Sequence, residues 1–109
     1  MKSVAYIITQ KWPDELVQEC LLPSIAQGTH GAKVVAMYFA EDGVYHLLKA
    51  NPDARKIIMA IEDEDIKIIV SKQSVRQRKL DHLLLEGVTQ GDFSDFYQAA
   101  QDADHIISF

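Results

Sequence analysis

The chain has 109 residues, 48% of them hydrophobic and 25% charged, enough apolar content for one packed core and a single domain over 1–109. A net charge of -5 with no long basic run argues against a nucleic-acid partner, since phosphate contacts dominate that affinity. One cysteine excludes an internal disulfide, and the apolar run at Met1–Thr9 is far too short for a signal peptide or membrane span, so a cytoplasmic protein with no membrane partner is expected. Ser3-Val4-Ala5-Tyr6-Ile7-Ile8-Thr9 reads as a buried strand, followed by a loop at Gln10-Lys11-Trp12. Pro13-Asp14-Glu15 starts a helix, with proline in the first turn and acids that suit the dipole. Leu16, Val17, Cys20, Leu21 and Ile25 then recur at helical spacing. Pro23 is expected to kink this helix near its end, and Gly28 or Gly31 to close it.

Lys33-Val34-Val35-Ala36-Met37-Tyr38-Phe39 is the second buried strand, with a turn at Glu41-Asp42-Gly43 and a short helix through Val44, Leu47 and Leu48. Asn51-Pro52-Asp53 breaks that helix. Ala54, Ile57, Ile58 and Ile61 form the stripe of the next one, with Asp53 as its expected N-cap. The acidic run Glu62-Asp63-Glu64-Asp65 leads into a third strand, Ile66-Lys67-Ile68-Ile69-Val70. A very short turn, Ser71-Lys72-Gln73, then meets Ser74-Val75-Arg76-Gln77, a capping-box pattern that predicts a helix beginning at Ser74. That helix is expected to carry Val75, Leu80, Leu83 and Leu84 and to stop at Gly87. Val88-Thr89 reads as a fragment of edge strand. Asp92 caps a last helix with Phe93, Phe96, Tyr97 and Ala100 on one face, and Ala103–Phe109 is a terminal strand.

Strands alternating with helices imply an α/β fold: a three-layer α/β/α sandwich with a mostly parallel four- to five-stranded sheet, flavodoxin-like in general architecture. Ligands of such folds bind outside the carboxyl ends of the strands. The residues there are Thr9, Gln10 and Lys11, then Glu41, Asp42 and Gly43, then Ser71, Lys72 and Gln73, with Ser74 at the start of the following helix. Ser71 has two readings. It ends a strand and helps cap the next helix, or it marks an anion or sulfur-species site at a helix N-terminus. Arg76 and Arg78 are solvated helix charges, or they hold an anion or pair across a subunit boundary. No Gly-x-Gly-x-x-Gly, Walker loop or nucleophile elbow is present, so no cofactor is expected. His30, His46, His82 and His105 lack metal-ligand spacing, so no metal is expected, and His46 lies nearest the strand-end face. Cys20 sits on the apolar stripe of the first helix and reads as a core thiol, with a reactive role requiring exposure.

Over its whole length the chain resembles the DsrE/DsrF-like family of small α/β proteins. The matching marks are the first strand and helix, Gly28, Glu41-Asp42-Gly43-Val44, and the third strand with its Arg76-x-Arg78 helix. Glu86-Gly87-Val88 and Ala103-Asp104-His105-Ile106-Ile107-Ser108-Phe109 complete them. The resemblance implies a parallel-sheet fold and assembly as a trimer or hexamer of this chain, or as a hetero-oligomer with other DsrE/DsrF-like subunits. It also implies a place in sulfur relay, where members carry sulfane sulfur as a persulfide on a cysteine after the third main strand. That cysteine falls at Ser71 here, and a hydroxyl cannot form a persulfide. The resemblance therefore implies a non-catalytic subunit or small-ligand module. A thiol-dependent sulfurtransferase or redox carrier using Cys20, and a structural homo-oligomer, are the alternatives.

Overall fold

The computed structural model describes residues 2–27 and 32–108 of the chain. The expected helix stop at Gly28 or Gly31, and His30, lie outside the described residues. Strands β1 (Ser3–Ile8), β2 (Lys33–Phe39), β3 (Lys67–Ser71), β4 (Gln90–Gly91) and β5 (His105–Ser108) form one all-parallel sheet in the order β4-β3-β2-β1-β5. The first three crossovers step in one direction across the sheet. The fourth returns past β3, β2 and β1 to lie beside β1. Crossovers between parallel strands are right-handed, so a reversal of direction puts its helix on the opposite face.

Side chains of a strand alternate between faces, and the two cores follow that alternation. On one face Val4, Tyr6 and Ile8 of β1 and Met37 and Phe39 of β2 pack with Val17, Leu21, Ile57, Ile61 and Val75 from the helices. On the other face Ala5, Ala36, Tyr38 and Ile69 pack against Phe96 of the last helix, α5 (Phe93–Ala99), and against its C-cap Ala100. The pairing of β1 with β2 slips between Val4 and Ala5, which pair with Val34 and Ala36 and leave Val35 as the extra residue. Phe93 and Tyr97 remain 51% and 56% exposed, so the expected apolar face of α5 is buried only at Phe96 and Ala100. Asp92 caps this helix as expected. Its carboxylate accepts the Asp95 N–H at 3.1 Å, and the Asp95 carboxylate accepts the Asp92 N–H at 2.9 Å.

The first helical region departs from simple 3.6-residue spacing. α1 (Asp14–Leu16) passes into a π-helical turn, Val17–Leu21, and then into α2 (Leu22–Gln27). The Leu22 N–H reaches the Val17 carbonyl, five residues back. Pro23 has no N–H to offer the preceding turn, and the chain answers by widening that turn ahead of it. The wider turn leaves Val17, Leu21 and Ile25 buried and turns Leu16 and Cys20 outward. The reading of Cys20 as a core thiol is thus corrected: it is exposed.

After β2 the chain makes a 3₁₀ helix at Glu41–Leu47, and then α3 (Ala54–Asp63). Asp53 stands at the N-cap position, but its side chain caps nothing. Its carboxylate is buried and accepts a hydrogen bond from Gln18 Nε2 at 3.0 Å. α4 is Lys72–Gln77, far shorter than the predicted helix. Lys79 takes the left-handed φ of 56°, which ends it. Leu80 and Leu84 are still buried, but from an irregular segment that touches Leu48 through an isolated antiparallel bridge at Leu84.

Candidate functional site

The sheet has one switch point between neighbouring strands whose exits diverge. The chain leaves β3 for α4 on one face and leaves β4 for α5 on the other. A crevice outside the carboxyl ends of two such strands is where ligands of open α/β sheets bind. The residues paired there are Ser71 and Gly91. Gly91 lets the strands close, because a Cβ at that position would lie 2.6 Å from Asp95 Oδ2 and 3.2 Å from Ile69 Cγ2.

Ser71 is both the last residue of β3 and the N-cap of α4. Its Oγ accepts the Ser74 N–H at 3.2 Å, and the residue is only 5% exposed. The cap therefore falls three residues before the predicted one, at Ser71 rather than Ser74. Two serines three apart compete for the cap, and Ser74 is occupied elsewhere: its Oγ accepts the Glu41 N–H at 2.9 Å. That bond ties the tip of β2 to α4 and holds Glu41 at a φ of 51°, where a residue with a side chain seldom stays.

Arg78 closes the same junction. Its Nη2 lies 3.2 Å from Asp42 Oδ1 and 3.4 Å from Glu41 Oε2, and its Nη1 donates to the Ser74 carbonyl at 3.4 Å. Partial burial disfavours the guanidinium charge, but bonding and attraction to Asp42 and then Glu41 outweigh it and raise its pKa. Arg78 is thus paired with two exposed carboxylates of its own chain. Arg76, Lys72 and Gln73 are exposed. Gly43 packs on the end of β1, where a Cβ would collide with the Ile8 carbonyl.

The tip of β1 is closed by His46. Trp12 N–H lies 3.1 Å from His46 Nε2, and the Gln10 carbonyl lies 3.0 Å from the same nitrogen. The ring is fully buried, and among the described residues its Nδ1 has no hydrogen-bond partner. Burial is the main cause that lowers its pKa to about 4, helped by the nearby Lys11 charge and opposed by the Gln10 carbonyl and Asp53. Asn51 supports the same corner, donating from Nδ2 to the His46 carbonyl at 2.8 Å.

The structure therefore joins Asp42, Ser71, Ser74 and Arg78 through Glu41 in one network. Gln10 belongs to a separate junction at His46, Thr9 is half-buried at the end of β1, and Lys72 and Arg76 stand in solvent. Gly91, Asp92 and Ser94 flank the switch point and were not picked out as site residues from the sequence. Their signal was a short edge strand followed directly by a capped helix. Asp92 Oδ1 accepts from Ser94 Oγ at 2.6 Å and, with the Asp95 N–H, this holds the carboxyl below its ordinary pKa. Among the described residues no three His, Cys, Asp or Glu side chains could share a metal ion, and no helix is long and apolar enough to cross a membrane.

This architecture, an all-parallel sheet with its tips braced by short helical segments, matches a known group. The sequence fits the DsrE/DsrF-like family over residues 2–109, and the chain belongs to that family. Among solved structures it is similar to the YchN protein from E. coli, with a TM-score of 0.73 at 16% identity and all of both chains covered, a likeness that speaks for the fold. No curated protein matches the sequence.

Proposed function

We propose that this protein is a DsrE/DsrF-like subunit of intracellular sulfur metabolism that takes part in a cytoplasmic homo- or hetero-oligomer without itself carrying sulfur. The observation that carries the reading is the residue at the end of β3. Relatives that relay sulfur use a cysteine after the third main strand; on this reading its counterpart here is Ser71, which is buried and engaged as a helix cap. A hydroxyl forms no persulfide, and the cap bond leaves it a structural task. Exposed apolar side chains support assembly: Phe93 and Tyr97 on α5, and Ile106, 43% exposed, on the edge strand β5. The test is incubation of the intact chain with a persulfide donor followed by intact mass measurement. The expected mass is unchanged.

One observation favours a second reading, in which Cys20 is the acceptor: its thiol is exposed rather than buried. A stable gain of one sulfur atom in the same experiment, absent from Cys20→Ser, would establish that reading and remove the first.

A further inference from the structure

The outer face of α3 carries its charges against its own dipole. Arg55 and Lys56 stand in the first turn, beside the positive end, and Glu62 and Asp63 stand in the last turn, beside the negative end. All four are exposed. Lys56 comes to 4.0 Å from Asp53, but among the described residues Arg55, Glu62 and Asp63 make no ion pair. Between the two charged ends Met59 is 61% exposed. Alongside runs a groove of about 600 Å³, lined by Arg55, Ile58, Met59 and Glu62 of α3 and by Lys49, Leu85 and Glu86. Apart from the contact of Lys56 with Asp53, a helix stabilised only by its own chain gains nothing from this order of charges.

We infer that this face docks on the same face of a second copy, α3 against α3, antiparallel about a two-fold axis at Met59. With a rise of about 1.5 Å per residue, Arg55 lies ~6 Å before Met59 and Glu62 ~4.5 Å after it, while Lys56 lies ~4.5 Å before and Asp63 ~6 Å after. At about 3.6 residues per turn, Arg55 and Glu62 lean to one side of Met59, and Lys56 and Asp63 lean to the other. A two-fold axis across the helix keeps the side and reverses the height. It sets Arg55 opposite Glu62 of the second copy and Lys56 opposite Asp63 of the second copy, each within about 1.5 Å in height, and repeats both pairs by symmetry. Met59 meets its own counterpart at the centre, where its flexible thioether suits a groove floored by Ile58 and Leu85. The basic end of each helix then covers the acidic end of the other, and the conflict within each helix is relieved.

This inference rests on the assembling part of the function proposed above and is independent of its sulfur part. Sedimentation equilibrium of wild type, Arg55→Glu, Glu62→Arg and the double variant tests it. Each single reversal is expected to weaken the two-fold association about tenfold or more, and the double variant to recover it to within about threefold. Each single reversal also suits the dipole, so the dissociated protomer is expected to melt at the same or a higher temperature. Weaker docking with an undiminished melting temperature separates a lost interface from a lost fold. A wild-type chain that stays monomeric overturns this contact and the homo-oligomer, and leaves only assembly with a different subunit. An oligomer indifferent to Arg55→Glu, or a double variant as weak as the singles, overturns the two-fold contact alone.

Discussion

Replacing His46 by glutamine tests the packing that closes the β1 tip. The imidazole is fully buried, and burial and Lys11 together hold its pKa near 4 against an ordinary value of 6.5. Between those values the folded ring is neutral while the unfolded ring is protonated. The unfolded chain then binds more protons, so stability is complete above pH 6.5, falls as the pH drops towards 4, and levels off below that. The full effect is about 3 kcal/mol, of which about 2 kcal/mol has been lost by pH ~4.5. Urea unfolding of wild type and His46→Gln at pH ~7.5 and pH ~4.5 isolates it, because carboxylates common to both proteins cancel in the comparison. Wild type is expected to lose about 2 kcal/mol more than the variant. Equal losses in the two proteins would mean that the ring is already protonated in the fold or is open to water, and the account of this corner would be wrong.

Ser74→Ala removes the acceptor for the Glu41 N–H and is expected to cost about 1–2 kcal/mol in thermal or urea unfolding. An unchanged midpoint would show that Glu41 does not depend on that bond. Gly43→Ala drives a methyl group against the Ile8 carbonyl and should cost about 1–3 kcal/mol or more; a neutral result would mean that the 3₁₀ segment slides freely. Arg78→Gln frees Asp42 and Glu41 on an exposed surface, so a loss below about 1 kcal/mol that shrinks at high salt is expected, and a larger, salt-independent loss would contradict this. In Ser71→Cys the new thiol should react with an aromatic disulfide reagent far more slowly than Cys20, since position 71 is 5% exposed. Equal rates would show that the β3–β4 crevice opens.

The strands were legible because runs such as Val34–Phe39 and Ile66–Val70 are apolar and β-branched, and the alternation with helices dictated a parallel sheet. Helix ends were harder. Ser71 and Ser74 offer equivalent caps in one dimension, and only the approach of the Glu41 N–H in three dimensions decides between them. Leu80 and Leu84 fit a helical period yet are buried from irregular backbone, because any segment that lies over the core needs apolar residues. Cys20 fell on the apolar stripe only under uniform α-helical spacing, which the π turn before Pro23 interrupts. The pairing of Arg78 was hidden because its partners, Glu41 and Asp42, lie more than thirty residues away in sequence. Strand order was beyond reach, since each crossover is locally alike and only the last one changes direction.

That reversal has a bearing on how the molecule is made. During synthesis β1 gains β2 on one flank early, but its other flank is reserved for β5, which emerges only after β2, β3 and β4. Until His105–Ser108 emerge, the row of amides and carbonyls along that side of β1 is an unpaired edge open to any extended peptide. Nascent chains halted before residue 105 should therefore be the ones most in need of a chaperone, and the ones most prone to join one another strand to strand.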